Sequence, residues 1–218
     1  AGVYIPHLCF NQEFAPHGSC RVCLVKVNGR MQAACTMPAA AGLLVQSEIE
    51  ELREIRRGIL QMLFVEGNHV CPACEKSGAC QLQAVAYYVG MLAPHYTHFY
   101  PRRPVDASHP DAVIDFNRCI LCELCVRASR DVDGKNVFAV QGRGIKARLV
   151  VNTPSGKLGA TAFSVTDKAA QVCPTGTILL KHHGYEIPIG QRLYDRKPIN
   201  VVGDVAALSA SKGGRRHD

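Results

Sequence analysis

Eleven cysteines in 218 residues divide into three groups with none left over. Cys9, Cys20, Cys23 and Cys35 form the first; Cys71, Cys74 and Cys80, with His69 just ahead, form the second; Cys119, Cys122, Cys125 and the distant Cys173 form the third. Each group has the size and spacing of an iron-sulfur cluster site. Three such sites in series describe a path for electrons. The length allows one or two ordinary domains, or three small ones each held by a cofactor because none can bury a large core unaided. Three sites favour the last arrangement.

The odd cysteine count, the absence of a signal peptide at Ala1 and the lack of any apolar run near the ~18 residues of a membrane span argue against a secreted disulfide scaffold or an integral membrane protein. A reducing cytoplasm is the expected location. The formal charge of +7 suggests nucleic acid until the cofactors are included. Eleven thiolates remove about eleven charges, and one two-iron and two four-iron oxidised cores return about six, leaving a charge near +2. With no helix-turn-helix, RNP motif or basic stripe interleaved with aromatics, a nucleic-acid role is excluded.

Around the first group, Arg21–Val27 and Met31–Cys35 flank Asn28-Gly29, a pair suited to a tight two-residue hairpin turn. Gly18, Ser19 and Cys20 form a loop whose amides can face cluster sulfurs and tune their potential. The spacing C-x10-C-x2-C-x11-C keeps the close central pair and two distant partners of a two-iron site, with a zinc knuckle as the alternative.

Ser47 and Glu50 read as a capping box, and Ile49, Leu52, Ile55, Ile59 and Met62 recur at helical spacing, predicting a helix over 48–64. Its charged residues Glu51, Arg53, Glu54, Arg56 and Arg57 read as a solvated face or a docking face. The second group follows as C-x2-C-x5-C, and Cys80 opens a helix through Leu82, Val85, Val89 and Leu92 to Pro94. Three thiolates leave a four-iron site one donor short, and His69 is the nearest candidate. A neutral imidazole in place of a thiolate would raise the potential. Tetrahedral zinc, or a histidine that only hydrogen-bonds to sulfur, are the alternatives. His7, His17, His95, His98 and His109 lack such spacing and read as loop or surface residues.

The run Cys119, Cys122, Cys125 is the C-x2-C-x2-C of bacterial ferredoxins, in which the fourth cysteine precedes proline. Cys173-Pro174 fills that role. Zinc fits poorly, because three cysteines at intervals of three crowd one tetrahedral ion. Val137–Val140, Leu149–Val151 and Phe163–Val165 read as strands that close the loop back to Cys173. The tail beyond 185 has few core-forming runs and reads as a partner-binding arm or as plain disorder, with Gly213–Asp218 mobile when free.

Tyr4–Cys9, Cys20-Arg21-Val22-Cys23, Cys71-Pro72-Ala73-Cys74 and Cys119-Ile120-Leu121-Cys122 resemble the signatures of the iron-sulfur part of the large peripheral-arm subunit of respiratory complex I and its relatives in hydrogenases and formate dehydrogenases. Because the chain stops soon after Cys173, and because of Gly190–Asp195, it most resembles the small diaphorase subunits of NAD-reducing [NiFe] hydrogenases. The resemblance implies an α+β chain: a [2Fe-2S] ferredoxin-like β-grasp domain (1–64), a helical [4Fe-4S] domain with one His and three Cys ligands (65–107), a bacterial-ferredoxin-like [4Fe-4S] domain (108–185) and a partner-binding tail (186–218). It implies an electron relay between a hydrogenase small and large subunit module and an FMN/NAD(H) diaphorase subunit, with formate dehydrogenase or complex I as alternative settings and a zinc-stapled scaffold as a remote one. Two features depart from the pattern. The complex I histidine stands four residues before the first cysteine, whereas His69 stands two before Cys71. The family's opening strand pair precedes Tyr4, which implies a β-grasp domain that is incomplete, reduced or completed by a partner.

No Walker A loop, no G-x-G-x-x-G opening a helix and no G-x-S-x-G occurs, and Gly142-Arg143-Gly144 is too short for a nucleotide loop. No catalytic residue is therefore expected on this chain. Since each cluster contributes folding free energy, the apo chain is expected to be largely unstructured or to aggregate.

Overall fold

The computed structural model describes residues 2–204. The turn residues Asn28 and Gly29, at φ 48° and 82°, join β1 (Leu24–Val27) to β2 (Arg30–Ala33), with Val27 paired to Arg30 across the two-residue loop. Only residues tolerant of positive φ close such a loop with the twist the strands require. The short β3 (Val45–Gln46), not foreseen in the sequence, adds to the other side of β1, giving the order β2-β1-β3.

Helix α1 (Glu50–Val65) packs across this sheet. It starts later than the capping box implies: Ile49 precedes it in extended conformation without a side-chain cap, and Glu48 instead pairs with Arg53 and Arg56. The buried stripe is Leu52, Arg56, Leu60 and Phe64, while Met62 is half exposed. Arg56, expected on the solvated face, is fully buried and donates to the carbonyls of Leu24 and Ser47 at 2.7 and 2.8 Å. Its guanidinium is a fixed fork of donors, and these carbonyls supply the acceptors that make its burial tolerable.

Helix α2 (Gln81–Tyr88) ends at left-handed Gly90, over which the Met91 amide donates back to the Ala86 carbonyl at 2.8 Å. This glycine stop leaves Leu92 84% exposed, outside the helix the periodicity implied.

In the last third, β4 (Val105–Asp106), β5 (Ala112–Asp115) and β8 (Ile178–Leu180) form an antiparallel sheet in that order. The pairing Ile114 with Ile178 sits five residues before Cys119 and five after Cys173, so this ladder closes the long loop. The hairpin of β6 (Phe138–Gln141) and β7 (Arg148–Val151) packs beside α3 (Leu124–Asp131), and Gly142–Gly144 belongs to its connection. Phe163–Val165 is not a strand. Asp167 accepts the Ser164 amide at 2.8 Å and Ser164 bonds Thr166 at 2.8 Å, local bonds that compete with a ladder. A short α4 (Lys168–Gln171) then leads to Cys173.

The tail does not leave the body at residue 186. The Tyr194 amide donates to Gly78 at 2.8 Å, Ile199 of α5 (Ile199–Val202) is fully buried, and Asp204 accepts from His7 and Gln81 at 2.6 and 3.0 Å. The expectation for Gly213–Asp218 lies outside the described residues.

Candidate metal centres

The hairpin aligns two members of the first group. Leu24 pairs with Ala33, the Ala34 amide donates to the Cys23 carbonyl at 3.1 Å, and the thiols of Cys23 and Cys35 lie 3.4 Å apart. Gly18 and Arg21, both at positive φ, turn the preceding loop so that its amides face sulfur. The Cys20 amide donates to Cys9 Sγ at 3.4 Å, and those of Ser19, Gly18 and Val22 reach Cys9, Cys35 and Cys20. The Cys20 thiol, donating to Cys9, lowers the Cys9 pKa, with the amides and Arg127 adding to the effect. Sulfur at Cys9 is thus prepared to carry negative charge.

The second group meets around one small cavity lined by His69, Cys71, Cys74 and Cys80, walled by Phe64, Leu82, Arg118 and Gly176. His69 Nε2 is buried without a hydrogen-bond partner, an arrangement that costs free energy unless something binds the nitrogen. Burial, then the charges of Arg103 and Arg118, lower the imidazole pKa to about 4, so the ring is neutral with a free lone pair. Gly67 occupies the position four residues before Cys71, where the complex I pattern has its histidine. A Cβ on Gly67 would stand 2.7 Å from His69 Nε2; the ring fills the space that a side chain at 67 would occupy. Of the other histidines, His109 is buried rather than on the surface, with its Nε2 3.1 Å from the Phe163 carbonyl.

Cys119, Cys122, Cys125 and Cys173 line a second small cavity closed by Val140, Leu149 and Pro174. Leu121 and Glu123 are left-handed, at φ 52° and 58°. This winding turns successive N–H groups inward as an anion-binding nest. The amides of Leu121, Leu124 and Val126 reach Cys119, Cys122 and Cys125 respectively. Burial pushes the Cys119 thiol up to about 11 and those of Cys122 and Cys125 well above the usual range. Neutral thiols are what a dry cavity without a cation prefers; bound iron reverses that preference.

Among the described residues, no three His, Cys, Asp or Glu side chains converge on a point one ion would fill. The sulfurs of the second and third groups line cavities, and in residue type all three groups fit iron-sulfur clusters.

The three sites touch. Pro174, next to Cys173, accepts from Cys80 Sγ at 3.6 Å and from the Gln81 amide at 2.9 Å, and Gly176 stands where a Cβ would lie 3.0 Å from Cys74 Sγ. Arg118, next to Cys119, lines the second cavity and holds Glu75 and Asp115 at 2.6 and 2.9 Å. Between the first and third sites, Arg127 donates to the carbonyls of Cys9 and Cys122 at 2.5 and 3.4 Å. None of Gly67, Gly176, Arg118 and Arg127 is marked by spacing. Only an arginine on the apolar face of a cysteine-bearing helix hinted at Arg127.

Comparison with known families follows the same three-part division. Residues 1–49 match the 2Fe-2S iron-sulfur cluster binding domain, residues 56–95 the NADH-ubiquinone oxidoreductase-G iron-sulfur binding region, and residues 113–180 the 4Fe-4S single cluster domain. The chain is thus an iron-sulfur protein assembled from ferredoxin-like α+β modules. It is 42% identical over 201 residues to the NAD-reducing hydrogenase HoxS subunit gamma of Cupriavidus necator, covering 92% of this chain and 85% of that one. A chain in the crystal structure of NAD+-reducing [NiFe]-hydrogenase in the H2-reduced state superposes with a TM-score of 0.90 at 53% identity, covering 94% of this chain and 87% of that one. The chain belongs to the family of these hydrogenase gamma subunits. It is also 35% identical to the NADPH-Fe(3+) oxidoreductase subunit alpha of Geobacter sulfurreducens over 83% of its own length and 21% of that protein's. With the mitochondrial NADH-ubiquinone oxidoreductase 78 kDa subunit of Candida albicans it shares 30% identity over 85% of its own length and 26% of that protein's.

Proposed function

We propose that this chain is the electron-relay subunit of an NAD-reducing hydrogenase, working between a [NiFe] hydrogenase module and an FMN/NAD(H) diaphorase subunit. Cys9, Cys20, Cys23 and Cys35 would hold one [2Fe-2S] cluster; His69, Cys71, Cys74 and Cys80 one [4Fe-4S] cluster; and Cys119, Cys122, Cys125 and Cys173 another. When bound, such clusters supply one-electron carriers whose potentials follow ligand charge, sulfur hydrogen bonds and burial. The residues of this chain hold thiolates in place, aim amides at sulfur and keep water from the third site. No residue constellation for breaking substrate bonds stands among the described residues, so hydrogen and hydride chemistry belong to partner chains.

The observation that carries this reading is the contact between sites. Arg127 joins the first to the third, and the Cys173–Gly176 segment joins the third to the second. The spatial order is therefore first, third, second, which differs from the order along the sequence and leaves the two ends of the row for partners. Identities of 42% to a hydrogenase gamma subunit and 53% to a chain of a [NiFe]-hydrogenase, against 35% and 30% to the other oxidoreductase subunits, favour the hydrogenase setting over the formate dehydrogenase or complex I one.

The proposed segments are 1–64, 65–107, 108–185 and 186–218. No helix among the described residues is long and apolar enough to cross a membrane, and the proposed location is the cytoplasm. The test is anaerobic iron and acid-labile sulfide counting on the native complex, with EPR during stepwise reduction by NADH and by hydrogen. One two-iron and two four-iron signals reducible by both donors are expected. Zinc in place of iron overturns the relay, and signals that hydrogen cannot reduce overturn the hydrogenase setting.

A further inference from the structure

Arg127 lies on α3 between two centres and is only 5% exposed. Its acceptors are the backbone carbonyls of Cys9 (2.5 Å), Ala15 (3.0 Å), Cys122 (3.4 Å) and Glu123 (3.4 Å), and its guanidinium sits 5.7 Å from the ring centroid of Phe14. Among the described residues no carboxylate lies within ion-pair distance of it, and Asp131, one turn further along α3, feels its charge only from farther off. Arg56 and Arg118 sit instead in ion pairs: Arg56 holds Glu48, and Arg118 holds Glu75 and Asp115. A buried cation without a counter-ion is costly, and carbonyl dipoles answer only part of the cost. Two of the four carbonyls belong to cysteines of different sites, so the missing negative charge has two candidate sources, one on either side.

We infer that Arg127 is the shared counter-ion of the first and third centres, a positioning residue whose single positive charge sets the potentials of both together. The inference rests on the cluster assignment proposed above. Each cluster becomes more negative on reduction, so a fixed cation nearby favours the reduced form of both. The same guanidinium clamps the loop carrying Cys9 to the turn carrying Cys122, so charge and spacing are controlled by one side chain. The second centre lies outside its contacts and serves as an internal reference.

The experiment is an EPR-monitored redox titration of the intact complex carrying R127Q, R127K or A15E, with iron and sulfide counted in every sample. In R127Q the reduction equilibria of the first and third centres are expected to fall about tenfold each, which is 59 mV for a one-electron couple, while the second centre stays put. R127K keeps the charge and is expected to restore most of both shifts. Ala15 is exposed and its carbonyl already accepts from Arg127, so A15E adds a competing carboxylate without disturbing the core and is expected to produce a smaller fall in the same two centres. Fully loaded R127Q with unchanged potentials, or with all three centres shifted alike, overturns the inference. If R127Q does not load, unchanged potentials in loaded A15E overturn it. A wild-type complex without iron in these sites rejects the cluster assignment itself, a distinct outcome.

Discussion

In the third site the chain closes over a long loop, Cys173 reaching Cys119 only because β5 and β8 pair Ile114 with Ile178. In the second, the proposed donors all lie between His69 and Cys80, and what is imported is the wall: Pro174, Gly176 and Arg118. Each site mixes buried and partly exposed cysteines: Cys122 and Cys125 are buried beside Cys119 and Cys173, and Cys80 is buried beside Cys71 and Cys74. One site owes its geometry to tertiary pairing and the other to local sequence, so damage to the fold falls unequally on the two. If His69 is the fourth donor as proposed, the second site carries one negative charge fewer than the third, which favours its reduction.

Removing Cys173 is the sharpest way to break that contrast. C173A is expected to cost about four iron atoms per chain, counted by iron and sulfide analysis, with the second site also loosened because its Pro174 cap shares the segment. H69A is expected to cost about one iron atom, leaving a three-iron signal visible by EPR. H69C should keep all four and lower the midpoint potential of that centre alone, since a thiolate replaces a neutral imidazole.

Smaller effects test the glycines. G67A places a methyl 2.7 Å from both His69 Nε2 and the Asn117 carbonyl, and about 1–3 kcal/mol of lost stability is expected in thermal unfolding, together with a disturbed second-site EPR signal. G29A, at φ 82° in the hairpin turn, is expected to cost about 1 kcal/mol and to touch only the first site. K26A removes an exposed ion pair with Glu51 at 2.8 Å and is expected to change stability by less than about 1 kcal/mol, with no change in any EPR signal.

The residues that could hold clusters were legible because metal chemistry restricts both residue type and spacing, and cysteine has few competing reasons to recur so regularly. The hairpin was legible because Asn28-Gly29 is a local, nearly sufficient signal. Less legible were features set by distant neighbours. Arg56 looked like a solvated residue among charged ones, and only the carbonyls of Leu24 and Ser47 make its burial tolerable. Phe163–Val165 has the composition of a strand, but its polar neighbours bond locally first. The chain beyond 185 has few apolar runs, yet Ile199 alone is enough to seat the tail in the core beside α2.

The segment Cys173–Gly176 has a further meaning for how the molecule is made. It contributes a donor to one site, a cap and a wall to another, and it is synthesised after all ten other cysteines. Translation proceeds from the N-terminus at about 5–20 residues per second, so the hairpin around Cys23 and Cys35 can form while the other two sites still stand open. Those two are then enclosed by the same four residues in a single late event. Delivery of iron and sulfide to these two sites is thereby tied to one stretch of chain, over which Tyr185 and Tyr194 later settle against Ala73 and Gly78.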